Sequence, residues 1–281
     1  MRFLSRKGTD RLVKCLSAGV TVAAVIPLFW IVIEIIINGA SALSWNFLTD
    51  LPRPFGETGG GIGNAILGSF LINALASVWG IPIGIATGIY LSEYGGGGRT
   101  GSVVRTAVES LAGVPSIIYG VFAFTIIVMT VRHYTALAAA VALGLMMIPL
   151  VAKATEESMK VVSSEMREAA MALGIPKWAR TEKVVLSIAR GGVLSGALLA
   201  FARISGETAP LLFTALFSLY WPTGLDQPMA TLQVLIYNYA LSGFGDWVSK
   251  AWGASLILVA IVLVINIVVR VASRQKFTEG T

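Results

Sequence analysis

The chain has 281 residues, of which 56% are hydrophobic and 13% are charged, and its mean hydropathy is +0.79. This composition excludes an ordinary water-soluble domain, because apolar runs of about 20 residues recur and each can cross about 30 Å of hydrocarbon. The net charge of +6 does not indicate a nucleic-acid partner, since the basic residues are spread over alternate loops and form no single patch.

Six apolar runs predict an all-α membrane protein with six transmembrane helices. A β-barrel is excluded because its spans would be short and would alternate apolar with polar residues. The first run is longer than the core of a usual secretory signal and no small-residue cleavage site follows it, so we interpret it as a span. Between the last two spans, Met229–Leu241 predicts a short re-entrant or interfacial helix. In chain order the predicted spans are Leu16–Ile37, Ala65–Tyr90, Ala107–Thr130, Leu137–Val151, Gly192–Leu216 and Trp252–Val271.

The loops differ in their content of basic residues, and this difference predicts the orientation of the chain. Seven basic residues lie from Lys153 to Arg190, whereas the loops on the other side hold only Arg53, Arg132 and Lys250. Cytoplasmic loops carry an excess of Lys and Arg, so both termini are predicted to lie in the cytoplasm. The predicted divisions are a cytoplasmic N-terminal segment (1–15), a membrane domain (16–272) with a cytoplasmic segment (153–190), and a cytoplasmic tail (273–281).

Side chains that could carry out chemistry are scarce. Cys15 is the only cysteine and His133 is the only histidine, which excludes a metal cluster built on these residue types. The glycines at 95–98 are not followed by the Lys of a phosphate-binding loop, so ATP would have to be bound by another polypeptide. A membrane-embedded enzyme would need a convergent acid, base, nucleophile or metal set. We therefore predict no catalytic residue, no metal and no cofactor, and expect His133 to be a solvated surface residue.

The polar segment after the fourth span predicts two short helices joined by a tight turn, over residues 156–190. Ser163 or Ser164 can cap the first helix, whose opening turns carry negative charge that complements the helix dipole. Gly174 can adopt the left-handed conformation that ends this helix, and Pro176 suits the first turn of the next one.

Glu168, Ala169, Ala170 and Gly174 form the recognisable part of this segment. The alanines keep the helix surface shallow, so that a partner could approach closely; the alternative is an amphipathic helix that packs on its own bundle. Glu-Ala-Ala with Gly six residues after the Glu resembles the coupling motif of ABC import permeases, a short helix that an ATPase subunit grips. In that family the motif continues with an Ile-x-Leu-Pro-like element, where this chain has Ser187 in place of the proline.

The fifth predicted span carries charged residues near its centre. Arg203 is followed four residues later by Glu207, which predicts that both lie on one face of a helix. A charge at the centre of a membrane costs about 2.5–3.5 kcal/mol, so these side chains should face protein or water. Two interpretations are open. One is a structural ion pair that fixes the span to its neighbours; the other is an anion pathway in which Arg203 attracts the anion and Glu207 neutralises it between passages.

The stretch Arg203-Ile-Ser-Gly-Glu-Thr-Ala-Pro210 is similar to the signature of phosphate ABC transporter permeases of the PstA type. The Ala-Pro after Gly-Glu-Thr favours this A-type subunit over the related C-type. Three further stretches look like the same family, and the similarity covers nearly the whole chain from about residue 55. They are Gly60-Gly-Ile-Gly-Asn-Ala-Ile66, Arg167-Glu-Ala-Ala-Met-Ala-Leu-Gly-Ile-Pro-Lys-Trp178 and Pro228-Met-Ala-Thr-Leu-Gln-Val-Leu-Ile-Tyr-Asn-Tyr239.

The resemblance implies a type I ABC importer permease bundle, a channel-forming subunit and not an enzyme, which spans the bacterial inner membrane several times. Inorganic phosphate from an external phosphate-binding protein would pass Arg203, Glu207 and Thr208 by alternating access. The implied partners are a C-type permease, two ATP-binding subunits at the Glu168–Gly174 motif, and membrane lipid, with no nucleic acid. Two alternatives remain: a permease for another oxyanion such as molybdate or sulfate, and a non-transporting scaffold subunit.

Overall fold

The computed structural model describes residues 6–54, 56–57 and 59–278, and helices dominate these ranges. Helices pair their own backbone groups, as lipid requires. The α-helices are α1 (Arg6–Ala40), α2 (Trp45–Thr49), α3 (Gly63–Ile89), α4 (Arg99–Ala112), α5 (Ser116–Ala123), α6 (Met129–Val131), α7 (Ala136–Lys160), α8 (Ser164–Ala172), α9 (Lys177–Arg180), α10 (Ser187–Ile204), α11 (Ala209–Thr214), α12 (Leu232–Ala240) and α13 (Gly245–Thr278). The π-helical segments Tyr90–Tyr94, Phe124–Val128 and Thr181–Leu186 continue α3, α5 and α9 directly.

The predicted all-α membrane fold is confirmed. Within the described ranges, five helical segments are long and apolar enough to cross a membrane. A sixth span results if α4 and the helix from Ser116 to Val131 are counted together. The five long segments are Asp10–Ala40, Gly63–Tyr94, Ala136–Lys160, Lys177–Ile204 and Gly245–Val268. The short helix expected within Met229–Leu241 is also present, as α12.

The predicted third span, Ala107–Thr130, is wrong as a single helix. α4 ends at Ala112, α5 begins at Ser116, and the two helices meet at an angle of 101°. Pro115 lies between them: it has no N–H to continue the ladder of helical hydrogen bonds, and it disfavours the helical conformation of the residue before it. α4 is nonetheless fixed to α7, because Nη1 of Arg105 donates to the buried carboxylate of Glu156 at 2.5 Å.

α3 and α7 are in direct backbone contact. Gly80, Gly84 and Gly88 recur every four residues on the face of α3 that meets α7. A methyl group at Gly84 would lie 2.6 Å from Cβ of Val151, and one at Gly88 would lie 2.5 Å from the carbonyl oxygen of Ala152. Small residues at this spacing allow membrane helices to approach closely. A buried apolar cluster surrounds the contact, so the pair forms a rigid centre for the bundle.

α1 leaves most of its apolar surface exposed. Large apolar side chains are uncovered along it from Leu12 to Ile37, and Trp30 is 67% exposed. The helix approaches α13 near Gly39, where a methyl group would lie 2.7 Å from the carbonyl oxygen of Trp252. An apolar surface of this extent requires cover by lipid or by another polypeptide.

The loop between α11 and α12 is fixed at the end of the bundle where α3 begins. Asn64 donates from Nδ2 to the carbonyl oxygens of Ser218 and Tyr220, at 2.9 and 3.2 Å. The exposed His133, just before α7, contacts the carbonyl oxygen of Asp226 through Nε2 at 3.1 Å. The carbonyl of Val131, and then the carbonyl and carboxylate of Asp226, raise the pKa of His133. The imidazole thus joins two loops, and its protonation strengthens the connection.

Candidate coupling and translocation sites

The predicted coupling segment begins as a continuation of a membrane helix. α7 extends to Lys160, beyond the predicted end of the fourth span at Val151. α8 follows, and Gly174 has a φ of +72°. This confirms the left-handed glycine predicted after the first helix of the segment, a conformation that residues with a Cβ rarely adopt.

The second short helix predicted in this segment is wrong. α9 begins after Pro176, passes through the π-helical Thr181–Leu186, and runs on as α10 to Ile204. Ser187 has an N–H where the motif of ABC permeases has proline, so it does not impose the bend that a proline would. The segment therefore consists of one separate helix, α8, followed by the start of a long membrane helix.

Negative charge is held at the start of α8. Ser163 is the N-cap residue, as predicted, but its side chain makes no capping hydrogen bond with a helix N–H. A hydrogen bond with the Ser163 side chain, and then one from the N–H of Glu165 itself, lowers the pKa of the Glu165 carboxyl. The ionised carboxylate complements the positive end of the helix dipole.

The motif residues of α8 divide between two faces. Glu168 and Ala169 are exposed, whereas Ala170 is 6% exposed and lies against the chain's own helices. Leu173 and Trp178 are 79% and 61% exposed near them. α8 thus packs on α9 and on Thr181–Leu186, and large apolar side chains of the kind that interfaces bury are exposed just after it.

Arg203 lies in the last turn of α10, with an exposed side chain. It lines a groove of about 460 Å³ between α7, α10 and α13, whose other walls are mostly apolar. The residues that share this groove with Arg203 are Leu150, Ala154, Gly196, Leu199, Ala200, Ala202, Val262 and Asn266. The guanidinium therefore borders a mostly apolar groove that an anion could enter.

Glu207 does not lie on the same helical face as Arg203, so this prediction is wrong. α10 ends at Ile204 and α11 begins at Ala209. A continuous helix would bring the ring of Pro210 against the carbonyl of Gly206 and would lack the N–H that this carbonyl needs. Glu207 is half-buried, and in the described part of the chain it forms no ion pair with Arg203.

Thr208 ends the break between α10 and α11. Its carbonyl oxygen accepts hydrogen bonds from the N–H groups of Leu211 and Leu212 at 3.1 and 3.2 Å, which starts α11. Its side chain makes no capping hydrogen bond. The three residues predicted to line the pathway thus lie on either side of a helix end, Arg203 before it and Glu207 and Thr208 after it.

The break is held in place by α12. Gln233 is 3% exposed and donates from Nε2 to the carbonyl oxygen of Ser205, while its Oε1 accepts from the hydroxyl of Ser69 at 3.3 Å. The Ser69 hydroxyl also accepts from the N–H of Leu232 at 2.8 Å. Backbone groups freed inside a membrane need such partners, since water is absent there. Sequence reasoning missed Gln233, although a lone glutamine in an apolar helix was a signal for it.

Asn266 was also missed. It interrupts a long apolar run of α13 and lines the same groove as Arg203. Its Nδ2 donates to the carbonyl oxygen of Val262 at 2.8 Å, and an amide has a second N–H and an acceptor oxygen besides. A guanidinium and a neutral amide in one apolar groove suit recognition of an oxyanion by charge and hydrogen bonds.

The sequence profile described as "Binding-protein-dependent transport system inner membrane component" matches residues 80–275. The chain belongs to this family. The phosphate transport system permease protein PstA of Yersinia pestis is 40% identical over 271 residues, which cover 96% of this chain and 92% of that protein. The protein of the same name from Haemophilus influenzae is 38% identical over 276 residues, 98% of each chain. The resemblance to PstA-type permeases is confirmed.

Two solved structures share the fold. The MetNI methionine ABC transporter, in an inward-facing conformation, superposes with a TM-score of 0.66 at 19% identity, over 76% of this chain and 95% of that one. A bacterial alginate ABC transporter, bound to its periplasmic protein with an alginate pentasaccharide, gives 0.68 at 14% identity over 95% of each chain. At these identities the likeness concerns the fold alone, and it confirms the predicted importer-permease bundle.

Proposed function

We propose that this chain is the membrane-spanning permease subunit of an ATP-driven importer of inorganic phosphate. The observation that carries the proposal is the 40% identity to a phosphate transport permease over 96% of the chain. The chain is an inner-membrane subunit and not an enzyme, and separate ATPase subunits hydrolyse the ATP. Its own contribution is a path for the anion and a contact for the ATPases.

Arg203 is the residue that contacts phosphate as it crosses the membrane. Its guanidinium has no carboxylate partner in the described chain, and the groove around it is largely apolar. Attraction between opposite charges is stronger in such a place than in water, and guanidinium N–H groups match phosphate oxygens in geometry. Asn266 supplies a neutral partner. Glu207 and Thr208 follow in the broken segment, where the carboxylate keeps the anion from being held too tightly.

The α8 end of the bundle faces the cytoplasm in this proposal. The basic residues from Lys153 to Arg190 lie at that end, and positive loops remain on the cytoplasmic side during insertion. Both termini are then cytoplasmic, and the loop before α12 faces outward. The divisions predicted from the sequence, with segment 153–190 in the cytoplasm, follow from the same orientation.

α8 docks an ATPase subunit. Glu168 and Ala169 stand exposed on it, Ala170 anchors it to the bundle, and Gly174 fixes the turn that follows. The exposed Leu173 adds apolar surface for the partner to bury. ATP-driven movement of that subunit would pull on α8 and switch the bundle between outward and inward access.

The further partners follow from the family. A C-type permease completes the channel, and the uncovered apolar surface of α1 supports contact with a second membrane subunit. Two ATPase subunits bind on the cytoplasmic side, and an external phosphate-binding protein delivers the substrate. Selectivity is then shared between that protein and the groove at Arg203.

The test is phosphate uptake by vesicles that contain the reconstituted complex. We expect Arg203→Gln to lower uptake about 10- to 150-fold, because a charge-assisted hydrogen bond contributes about 1.5–3 kcal/mol. Arg203→Lys keeps the charge but loses the planar fork, so it should fall between wild type and Arg203→Gln. Arg190→Gln, an exposed arginine earlier in the same helix, serves as the matched control, and complex yield is measured for every variant.

Unimpaired uptake in an assembled Arg203→Gln complex would contradict the pathway. Uptake of sulfate or molybdate in place of phosphate by the wild-type complex would identify another oxyanion as substrate. A complex that assembles, hydrolyses ATP and moves none of these anions would favour a scaffold role.

A further inference from the structure

Both arms of the coupling segment hold the last residues of one membrane helix. From α8, Arg167 donates through Nη1 to the carboxylate of Glu93, at the π-helical end of α3. From α9, the ammonium group of Lys177 lies 4.6 Å from the ring centroid of Tyr94, a cation–π contact. The neighbouring residues Glu93 and Tyr94, at the π-helical end of α3, are thus contacted from both sides of the turn at Gly174.

The Arg167–Glu93 contact is largely withdrawn from water. The Glu93 side chain is 2% exposed and the Arg167 side chain is 21% exposed. Arg167 also donates through Nη2 to the carbonyl oxygen of Met159, at 2.7 Å, and through Nε to that of Val162, at 3.4 Å. The guanidinium therefore joins α8 to the ends of α3 and α7 together. Breaking such a pair leaves a buried charge without a partner, so it does not open readily.

α3 connects this contact with the site at the other end of the bundle. It carries Ser69, whose hydroxyl bonds to Leu232 and Gln233 of α12, and Gln233 holds the broken segment after Arg203. From Ser69 to Glu93 the helix spans about 36 Å, at 1.5 Å per residue. A helix packed along its length on α7 moves as a stiff body, so a displacement at one end reaches the other.

We propose that α3 is the element that receives the movement of the ATPases, and that Arg167 is the positioning residue that transmits it from α8 through Glu93. The inference rests on the proposed function, since it requires that α8 docks an ATPase. A competing route runs through the chain itself, from α9 directly into α10, which ends at Arg203. That route includes the π-helical Thr181–Leu186 and needs no contact between α8 and α3.

The two routes differ in their dependence on the ion pair. The experiment uses the reconstituted complex with its other subunits and measures phosphate taken up per ATP hydrolysed. We expect Arg167→Gln and Glu93→Gln each to lower this ratio about 5- to 150-fold, the usual range of coupling between sites. Because the two residues act through one contact, the double variant should fall no further than either single variant. Arg167→Lys keeps a positive charge opposite the Glu93 carboxylate, so its ratio should lie between those of wild type and Arg167→Gln.

The matched control is the ion pair between Arg105 and Glu156. It also joins an arginine to a buried carboxylate near the end of α7, which Lys160 contacts as well at 2.6 Å. These ion-pair partners lie in α4 and α7, and not in α8 or α9. Arg105→Gln should leave the uptake ratio unchanged in the complex that assembles. A loss caused only by general destabilisation would lower the ratio in this control as well, and that result would overturn the inference.

An unchanged ratio in assembled Arg167→Gln and Glu93→Gln complexes would also overturn it. If Arg167→Gln does not assemble, Lys177→Gln decides, because it removes an exposed side chain whose ammonium group lies over the ring of Tyr94 and forms no ion pair in the described part of the chain. It should lower the ratio without loss of yield, and a wild-type ratio there would count against the α3 route. Failure of the proposed function gives a different pattern: the wild-type complex takes up no phosphate.

Discussion

Replacing Gln233 with leucine tests whether the polar bridge from α12 holds the break that follows Arg203. The side chain is 3% exposed, and leucine is similar in size, so the change removes hydrogen bonds without opening a large cavity. The carbonyl of Ser205 would lose its donor, and the hydroxyl of Ser69 would lose its acceptor, with no water to replace either.

An unsatisfied buried polar group costs about 1–3 kcal/mol. Since about 1.4 kcal/mol corresponds to a factor of ten, the population in which this region opens should rise about 5- to 150-fold. The amides next to the break should therefore exchange hydrogen faster by a similar factor. Phosphate uptake should fall as well, because the end of α10 that carries Arg203 is no longer held in one position.

The assay is hydrogen exchange by mass spectrometry on the assembled complex, with peptides that cover 201–215, beside phosphate uptake. Asn238→Leu is the matched control: Asn238 lies in the same helix, but its Nδ2 donates to the carbonyl oxygen of Val234 within α12. It should leave exchange at 201–215 unchanged. Wild-type exchange and uptake in Gln233→Leu would refute the reasoning, since the bridge would then contribute nothing to the break.

Three further changes test other parts of the structure. Gly84→Ala places a methyl group 2.6 Å from Cβ of Val151, so it should destabilise the protein by about 1–3 kcal/mol through overpacking, and Gly84→Leu should destabilise it more. A thermal midpoint of the complex equal to that of wild type would contradict the close contact. Gly174→Val should lose coupled ATP hydrolysis, because a β-branched residue rarely adopts a φ of +72°. Gly174→Asn should retain more of the coupled hydrolysis, because asparagine tolerates that conformation. The pKa of His133 is raised above 6.5 in the folded state, so protonation contributes stability that is complete below pH 6.5 and is lost as pH rises through the raised pKa. The thermal midpoints of wild type and His133→Asn should therefore converge above the raised pKa. A constant difference between the two midpoints at every pH would refute the link to Asp226.

Sequence reasoning succeeded where a residue's own backbone decides the structure. Gly174 is left-handed as predicted, because a glycine after a helix can end it in that conformation at no steric cost. The short helix predicted within Met229–Leu241 lies at Leu232–Ala240. These features depend on short stretches of chain, so the hydropathy pattern and the turn residues are sufficient to predict them.

Sequence reasoning failed where contacts between residues far apart in the chain determine the structure. Hydropathy predicts a continuous fifth span through Gly192–Leu216. The complete break requires Gln233, 28 positions from Ser205, to satisfy the freed carbonyl. Glu93 was overlooked for a similar reason: a carboxylate at the end of an apolar run resembles a solvated charge, and its burial depends on Arg167.

The contacts of Arg167 determine which helices can move together. One guanidinium bonds to Glu93 at the π-helical end of α3 and to the carbonyl of Met159 in α7. The same two helices approach backbone to backbone at Gly80 and Gly88. Sliding one past the other would bring side chains into the space that the glycines leave, so α3 and α7 move as one body. The displacement must then be absorbed where helices are interrupted, at 113–115 and at 205–208. The second interruption adjoins Arg203, whose groove has α7 as one wall and α13 as another. Movement of the α3–α7 body therefore changes the width of the groove at the residue that meets the anion, and the break in α10 permits that change without unfolding a membrane helix.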